Sequence, residues 1–339
     1  MTKRKTELSA MNLLMCMLVI FVHIASWTIN SLDRTSVKYI FLMVPWRLSA
    51  FVVQGFLFLS GVKLFSSEKP FHYGRFLYGR VKGILVPYLL WVGIYYAYFI
   101  GIGWYTFSFA DLAEYIFLGT LCSHFYYVVI AMQFYLLMPL FRNLLARSNP
   151  WAVAVESVVL TVIYKLFWHF PYDDRVFTHY LCYFTVGAIV GKHYARVTAW
   201  LMRRLAWLFA AFLALGFADA FLTYRSQVYG EVFRLFEALH LAYCFSAIFF
   251  FLTLFLFLTR GRTLPRPLAL LDRSSYAIYL AHVLPIYLAN AALHRAGVND
   301  LLYAFVLRGI FTYAVTLTLA ALYTLGKEKL HARKTARSL

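Results

Sequence analysis

The chain has 339 residues, of which 63% are hydrophobic, 20% aromatic and only 14% charged. An average soluble domain is about half apolar and a quarter charged, so this composition excludes a soluble globular protein, a disordered chain, a coiled coil and a disulfide-rich secreted scaffold. It favours an all-α, polytopic integral membrane protein, because helices satisfy their own backbone hydrogen bonds in lipid. The formal net charge of +18 is explained by the positive-inside rule, so we expect no nucleic-acid partner.

Ten apolar spans are predicted along the chain. The first run is too long for a signal peptide and no small-residue cleavage site follows it, so we expect it to be retained. A more polar stretch at 104–121 is expected to form an external loop with a short interfacial helix. The spans are 8–29, 38–65, 82–102, 123–145, 151–169, 177–195, 203–224, 234–258, 273–294 and 301–325.

Basic residues indicate how these spans are oriented. Stretches on one side of the predicted membrane are rich in Lys and Arg, those on the other side are poor, and the N-terminal stretch is rich. Because Lys and Arg concentrate in cytoplasmic loops, the alternation predicts both termini in the cytoplasm, with short tails at 1–7 and 326–339. We therefore expect residues 1–339 to form a single multi-pass domain in the bacterial plasma (inner) membrane, in contact with lipid.

Cysteine and metal-ligand patterns predict no cofactor of their own. The cysteines form no CxxC pair and lie in or beside apolar stretches, so they are interpreted as small core residues. His, Asp and Glu are too dispersed to predict a metal site. Walker, dinucleotide-binding and GxSxG motifs are absent from the sequence. The four cysteines are Cys16, Cys122, Cys182 and Cys244.

Two polar residues share one face of the first span. Asn12 precedes His23 by eleven residues, and eleven steps of about 100° return to the same face about 16 Å further on. Ionisable groups inside a span are costly and therefore mark candidate functional sites. His23 is either a general base or a hydrogen-bonded bundle residue. Asn12 either lines a path to His23 or makes a helix-packing contact.

Further polar residues interrupt later spans. Arg47 is too deep for a surface residue, so we expect it to face a polar cavity. Tyr279 and His282 are three positions apart on one helical face of the ninth span, and Glu237 and His240 have the spacing of a pair. Four basic residues near the outer ends of spans are expected to snorkel toward water: Lys165, Arg234, Arg295 and Arg308.

Two segments carry candidate binding residues. A short basic loop either holds lipid headgroups or the phosphates of an anionic cofactor, or only signals topology. This loop contains Arg75, Arg80 and Lys82. At the predicted outer side, His124 is followed by Tyr126 and Tyr127, and such aromatic side chains are suited to line a groove for a sugar or a lipid.

Five segments, in their order and spacing, resemble the type-three membrane acyltransferases. These segments are 12–23, 47–64, 80–91, 124–140 and 274–287. These integral enzymes O- or N-acylate cell-envelope sugars. Their first span carries an arginine followed eleven positions later by a histidine, and here Asn12 stands at the arginine position and His23 at the histidine. Their cytoplasmic loop often has two arginines three apart, where this chain has Arg80 and Gly83 with Lys82 between them.

The resemblance extends to the other candidate residues. His124 and the aromatics after it look like the family's His-x-Trp/Tyr-Phe segment, and Tyr279 to His282 look like its Tyr-Leu-x-His segment. The resemblance implies that acyl-CoA, in particular acetyl-CoA, is the donor. It further implies that His23 removes a proton from the acceptor and that Arg47 or Tyr279 stabilises the oxyanion. The donor's phosphates would be held by Arg75, Arg80 and Lys82.

The implied acceptor is an envelope carbohydrate or a lipid-linked sugar, and O-acetylation is the expected reaction. Since some relatives carry an extracellular hydrolase-like domain, a separate extracytoplasmic partner is a further expectation. Two alternatives remain open: a transporter or flippase for an envelope precursor or small metabolite, and a non-catalytic membrane subunit or sensor.

Overall fold

The computed structural model describes residues 5–67 and 70–337, which form helices and no strands. This confirms the all-α prediction. The predicted tail at 1–7 lies mostly outside the described residues, as do the last two residues of the tail at 326–339. Seventeen α-helices follow one another: α1 Thr6–Ile29, α2 Val37–Arg47, α3 Val52–Phe65, α4 Tyr73–Arg80, α5 Val86–Gly101, α6 Phe109–Leu118, α7 Tyr126–Leu136, α8 Met138–Arg147, α9 Pro150–Phe167, α10 Leu181–Lys192, α11 Tyr194–Met202, α12 Leu205–Tyr229, α13 Phe236–Leu258, α14 Arg266–Arg273, α15 Ser275–Ala281, α16 Val283–Arg295 and α17 Leu301–Arg337.

Several of these helices are long and apolar enough to cross a membrane. By length and composition, the described residues contain seven candidate spans, or up to nine if each of two bent helix pairs counts as one. The bends are 54° between α7 and α8 and 41° between α15 and α16. The protein is therefore a multi-pass membrane protein. The count of ten and the cytoplasmic location of the termini stay predictions.

Nine of the ten predicted spans coincide with these candidates, whereas the predicted span at 177–195 does not. The stretch 177–195 contains a short 3₁₀ turn, Phe177–Tyr180, followed by the 12-residue helix α10. A helix needs about 20 residues to cross the hydrocarbon core, so α10 alone is too short. In the predicted external loop, α6 is the expected short helix.

The chain divides into two compact units. The split unit contains the chain up to Val52 together with Leu201 onward, and the central unit runs from Val53 to Trp200. In the split unit, α1 packs against α2, α13 and the helices from α14 to α17. All four cysteines are buried and free of disulfides, which confirms their interpretation as core residues.

Small residues hold α3 and α10 together in the central unit. Gly187 and Gly191 are four apart, and a Cβ atom on either would collide with backbone of α3. A Cβ on Gly61 would likewise collide with the carbonyl of Phe184 on α10. Such small-xxx-small patterns let helix backbones approach closely in membranes. Gly61 therefore contributes to the close packing of these two helices.

Replacing Gly187 by alanine is expected to destabilise the protein by about 1–3 kcal/mol, the usual cost of overpacking. The added methyl group has no space because it meets the main-chain carbonyl of Phe58. The unfolding midpoint of the purified protein in detergent measures this effect. Gly93→Ala on α5 is the matched control, since a Cβ there meets nothing within 4 Å. Equal midpoints for the two variants would contradict the close packing of α3 and α10.

Candidate functional site

Two histidines from distant parts of the sequence meet in the split unit. The ring centroids of His23 on α1 and His282 between α15 and α16 are 5.1 Å apart. His282 is fully buried, while His23 is half-buried. The ring of Tyr279 lies 6.2 Å from that of His282. Three predicted site residues therefore lie together, and His23 is the more accessible histidine of the pair.

A proline explains why the helix breaks at His282. Pro285 has no N–H, and its ring clashes with the carbonyl four residues earlier, which belongs to Ala281. The helix α15 ends at Ala281 and α16 begins at Val283, at an angle of 41°. His282 therefore lies at the bend, where it is fixed between two helix segments.

The backbone fixes the proton position on His282. Its Nδ1 lies 2.8 Å from the carbonyl oxygen of Tyr279 and 3.3 Å from that of Ile278. Because carbonyl oxygens only accept hydrogen bonds, Nδ1 must carry the proton and donate it. The neutral ring then has its lone pair on Nε2, which is the atom able to take up a second proton.

A polar stripe extends from this pair along α1. The Nδ2 of Asn12 donates to Asp272 Oδ1 at 2.9 Å and to Ser275 Oγ at 2.8 Å. Asn12 and His23 thus both face the segment that contains α15, as expected from their spacing on the unbroken helix α1. We call Asn12, His23, Ser275, Tyr279 and His282 the histidine stripe.

Arg47 takes part in a buried charge network of the same unit. Its Nε donates to Asp219 on α12, and its Nη2 lies 2.9 Å from His240 Nδ1 on α13. Asp219 is fully buried and its Oδ1 also lies 2.9 Å from His240 Nδ1. The Nε2 of His240 is 3.5 Å from Cys244 Sγ. The predicted polar environment of Arg47 is therefore made of an aspartate and a histidine.

A second arginine corrects one expectation, while another stays open. His240 contacts Asp219 and Arg47 on neighbouring helices, and its pairing with Glu237 on its own helix stays a prediction. Arg308 is 5% exposed rather than snorkelling. The reason is that α1 and α16 offer it hydrogen-bond acceptors inside the unit.

The predicted donor-binding residues lie in the central unit. The Arg80 guanidinium lies close to two aromatic rings, 4.9 Å from the centre of Phe76 and 5.0 Å from that of Tyr135. A π-helical turn, Val81–Leu85, follows it, and such turns are frequent at functional sites. Arg75 and Lys82 are exposed.

Sequence reasoning missed a fourth basic residue near Arg80. The Arg142 guanidinium lies 4.4 Å from the ring centre of Phe71, and the rings of Phe71 and Phe76 are 5.3 Å apart. Two aromatic rings in contact, Phe71 and Phe76, therefore link two arginines that are about sixty positions apart. The basic-aromatic patch is defined as Arg75, Arg80, Lys82 and Arg142 with Phe71, Phe76 and Tyr135.

The predicted acceptor residues also belong to the central unit. His124 is 2% exposed, and its ring is 5.8 Å from that of Tyr95. The ring of Tyr126 lies 4.8 Å under the guanidinium of Arg175, and the ring of Tyr127 is 5.8 Å from that of Phe56. His124 is thus a packed residue, while Tyr126 and Tyr127 are half-buried. Their role in acceptor binding stays a prediction.

No metal site accompanies these clusters in residues 5–67 and 70–337: no group of three or more His, Cys, Asp or Glu side chains there is suited to hold an ion. The histidine stripe offers imidazole groups for proton transfer, and tyrosine, serine and amide groups for hydrogen bonding.

Comparisons with known proteins agree with the resemblance. A family described as an acyltransferase domain matches residues 6–325. The protein YfiQ of Bacillus subtilis (strain 168), provisionally named a membrane-bound acyltransferase, is 25% identical over 296 residues, which cover 81% of this chain and 79% of YfiQ. No solved structure matches the chain. The family match includes every candidate site residue from Asn12 to His282.

Proposed function

Since this chain belongs to that acyltransferase family, and is a multi-pass membrane acyltransferase, we propose that it transfers an acyl group from cytoplasmic acyl-CoA to a cell-envelope carbohydrate. Acetyl-CoA is the proposed donor and a sugar hydroxyl the proposed acceptor, with an amine or a lipid-linked sugar as variants of the same chemistry. The observation that carries the proposal is the contact of His23 with His282, at 5.1 Å between ring centroids.

In the proposed step, His23 acts as general base. It takes the proton of the acceptor hydroxyl while the hydroxyl oxygen attacks the thioester carbonyl carbon. The new C–O bond forms, the C–S bond breaks, and CoA leaves as a thiolate that receives the proton from His23. Tyr279, 6.2 Å from His282 between ring centres, is the proposed donor of a hydrogen bond to the oxyanion.

His282 is the proposed positioning residue for His23. Its Nδ1 proton is bound to backbone carbonyls, so its ring orientation is fixed. Two imidazolium ions in contact repel each other, and the pair therefore accommodates one added proton rather than two. That is the requirement of a base that accepts one proton and then returns it to the leaving group.

The donor's phosphates are proposed to bind the basic-aromatic patch. Arginine presents a fork of N–H donors that matches phosphate oxygens. The rings of Phe76 and Tyr135 hold the Arg80 guanidinium in place by cation–π attraction. Arg142 adds a further cation to the patch.

Exchanging Arg80 and Lys82 for glutamine is expected to raise the KM for acyl-CoA about tenfold or more, because charge-assisted hydrogen bonds are each worth about 1.5–3 kcal/mol. The kcat is expected to stay near its wild-type value. Initial rates at varied acyl-CoA concentration give both constants. Arg147→Gln, which removes an exposed charge at the end of α8, is the control. An unchanged KM would leave these charges as topology signals.

The proposed function is tested by purified protein in proteoliposomes with ¹⁴C-acetyl-CoA and envelope glycans or lipid-linked sugars as acceptors. Label in a glycan product supports it, and mass spectrometry of surface glycans with and without the gene identifies the acceptor. Glycan acylation that is unaffected by loss of the gene would contradict it. Uptake or export of a sugar precursor without acyl-CoA would instead support the transport alternative.

A further inference from the structure

A buried guanidinium lies further along α1 than the histidine pair. Arg308 on α17 is 5% exposed. Its Nε donates to Asn290 Oδ1 at 2.5 Å and its Nη1 donates to Thr28 Oγ1 at 2.9 Å. The guanidinium also lies 5.9 Å from the ring centre of Trp27. All of these partners are uncharged, and the described part of the chain gives Arg308 no carboxylate within 4.0 Å.

Such a charge is unusual inside a membrane helix bundle. A buried cation without a counter-charge is costly, and arginines within spans normally pair with an acid or mark a ligand path. Arg47, which is half-buried in the same unit, follows that rule because it pairs with the buried Asp219. The contrast indicates that the counter-charge of Arg308 arrives with a ligand.

Two neighbouring hydrogen-bond donors independently indicate a ligand at this site. The Nδ2 of Asn290 is buried and has no hydrogen-bond partner in the structure. One helical turn after Arg308, Thr312 is fully buried and its hydroxyl is also without a partner. Guanidinium, amide and hydroxyl groups together offer N–H and O–H donors, which are complementary to the oxygens of a carboxylate or phosphate.

The helices place this site close to the proposed reaction. Thr28 follows His23 by five residues on α1, which is about 7.5 Å, and Asn290 follows His282 by eight residues, which is about 12 Å along the helix. The aromatic pair Trp27 and Tyr287, 5.6 Å apart between ring centres, lies between the two levels. Measured along the helix axes, a ligand with its anionic group at Arg308 would reach the level of the histidines with a second group one to two sugar rings away.

We propose that Arg308, Asn290 and Thr312 bind an oxyanion carried by the acceptor, which makes this protein selective for anionic acceptors. This inference rests on the proposed function and adds the charge of its substrate. The oxyanion is either the carboxylate of a sugar acid or the phosphate of a lipid-linked sugar. Along the helix axes, the histidines lie roughly 7–12 Å from the level of that charge.

The test uses the full chain in phosphatidylcholine nanodiscs. Initial rates of acetyl transfer are compared for a glucuronate-containing disaccharide, its neutral glucose counterpart, and a polyprenyl-phosphate-linked sugar. Arg308→Gln is expected to raise the KM for the anionic acceptors at least about tenfold, and so to reduce the difference in kcat/KM between the anionic and the neutral acceptors. Arg308→Lys keeps the charge but not the fork, so an intermediate KM is expected. Arg34→Gln, at an exposed loop arginine, is the control.

A second measurement separates this inference from the proposed function. Glucuronate, inorganic phosphate and glucose are added to the wild type at equal ionic strength, and the unfolding midpoint is recorded. A rise with either anion that Arg308→Gln removes supports the anion site, even if no acceptor is acylated. A midpoint that responds equally to glucose, or a wild type that acylates neutral and anionic acceptors equally well, overturns it. The anion that gives the larger rise distinguishes a sugar acid from a phosphate.

Discussion

His23→Gln is expected to lower the rate of acyl transfer by about 10²–10⁴-fold, which is the usual contribution of a general base. Glutamine fills a similar volume and forms hydrogen bonds, but it does not take up a proton. The KM for acyl-CoA is expected to change little, because the basic-aromatic patch is untouched. Initial rates of label transfer from ¹⁴C-acetyl-CoA measure the loss.

A matched control separates this effect from general damage. His294 is exposed near the end of α16, so His294→Gln is expected to retain wild-type rates. His282→Gln is expected to reduce the rate as well, and the double variant with His23→Gln to be no slower than His23→Gln alone, because residues that act as a unit are not additive. Wild-type rates for His23→Gln would remove the histidine stripe as the catalytic site.

Asp219→Ala is expected to destabilise the protein by about 3–5 kcal/mol, since removing one partner of a buried ion pair leaves the other charge uncompensated. Arg47 and His240 both contact this carboxylate from separate helices. Both residues are therefore expected to lose their contact with α12 in this variant. The free energy of unfolding in mixed detergent, measured by denaturant titration, reports the change.

Two further variants serve as controls for Asp219→Ala. One breaks an exposed arginine–carboxylate pair, and the other replaces both partners of the Arg47–Asp219 pair by apolar residues. Glu328→Gln breaks the exposed pair with Arg273 and is expected to cost at most about 1 kcal/mol. Replacing Arg47 and Asp219 together by methionine is expected to recover most of the stability, because a well-packed apolar pair often equals a buried ion pair. Equal losses for Asp219→Ala and Glu328→Gln would contradict the structural importance of the buried network.

Local features of the sequence were sufficient for the class of protein and for the central residues of the stripe. An apolar chain must satisfy its backbone within helices, and most predicted spans coincide with candidate spans. A polar residue inside a span is conspicuous, so His23 and His282 were both found. The spacing of Asn12 and His23 was reliable because α1 is unbroken between them.

Features that depend on two distant segments were not predictable in this way. The break of the ninth span at His282 and the short length of α10 became apparent only from the path of the backbone. Arg142 joined the basic-aromatic patch only through the rings of Phe71 and Phe76. In the sequence it was one of many basic residues that signal topology.

Local sequence patterns therefore establish the helical membrane class and a short set of polar residues with their helix faces. Helix packing brings particular residues together: His23 with His282, Arg47 with Asp219, and Arg308 with uncharged partners. These contacts do not follow from the sequence pattern because helical periodicity is a local property. In a span that is apolar on all sides, the faces toward lipid and toward protein have the same composition, so the partner of each polar group is fixed only when the helices pack.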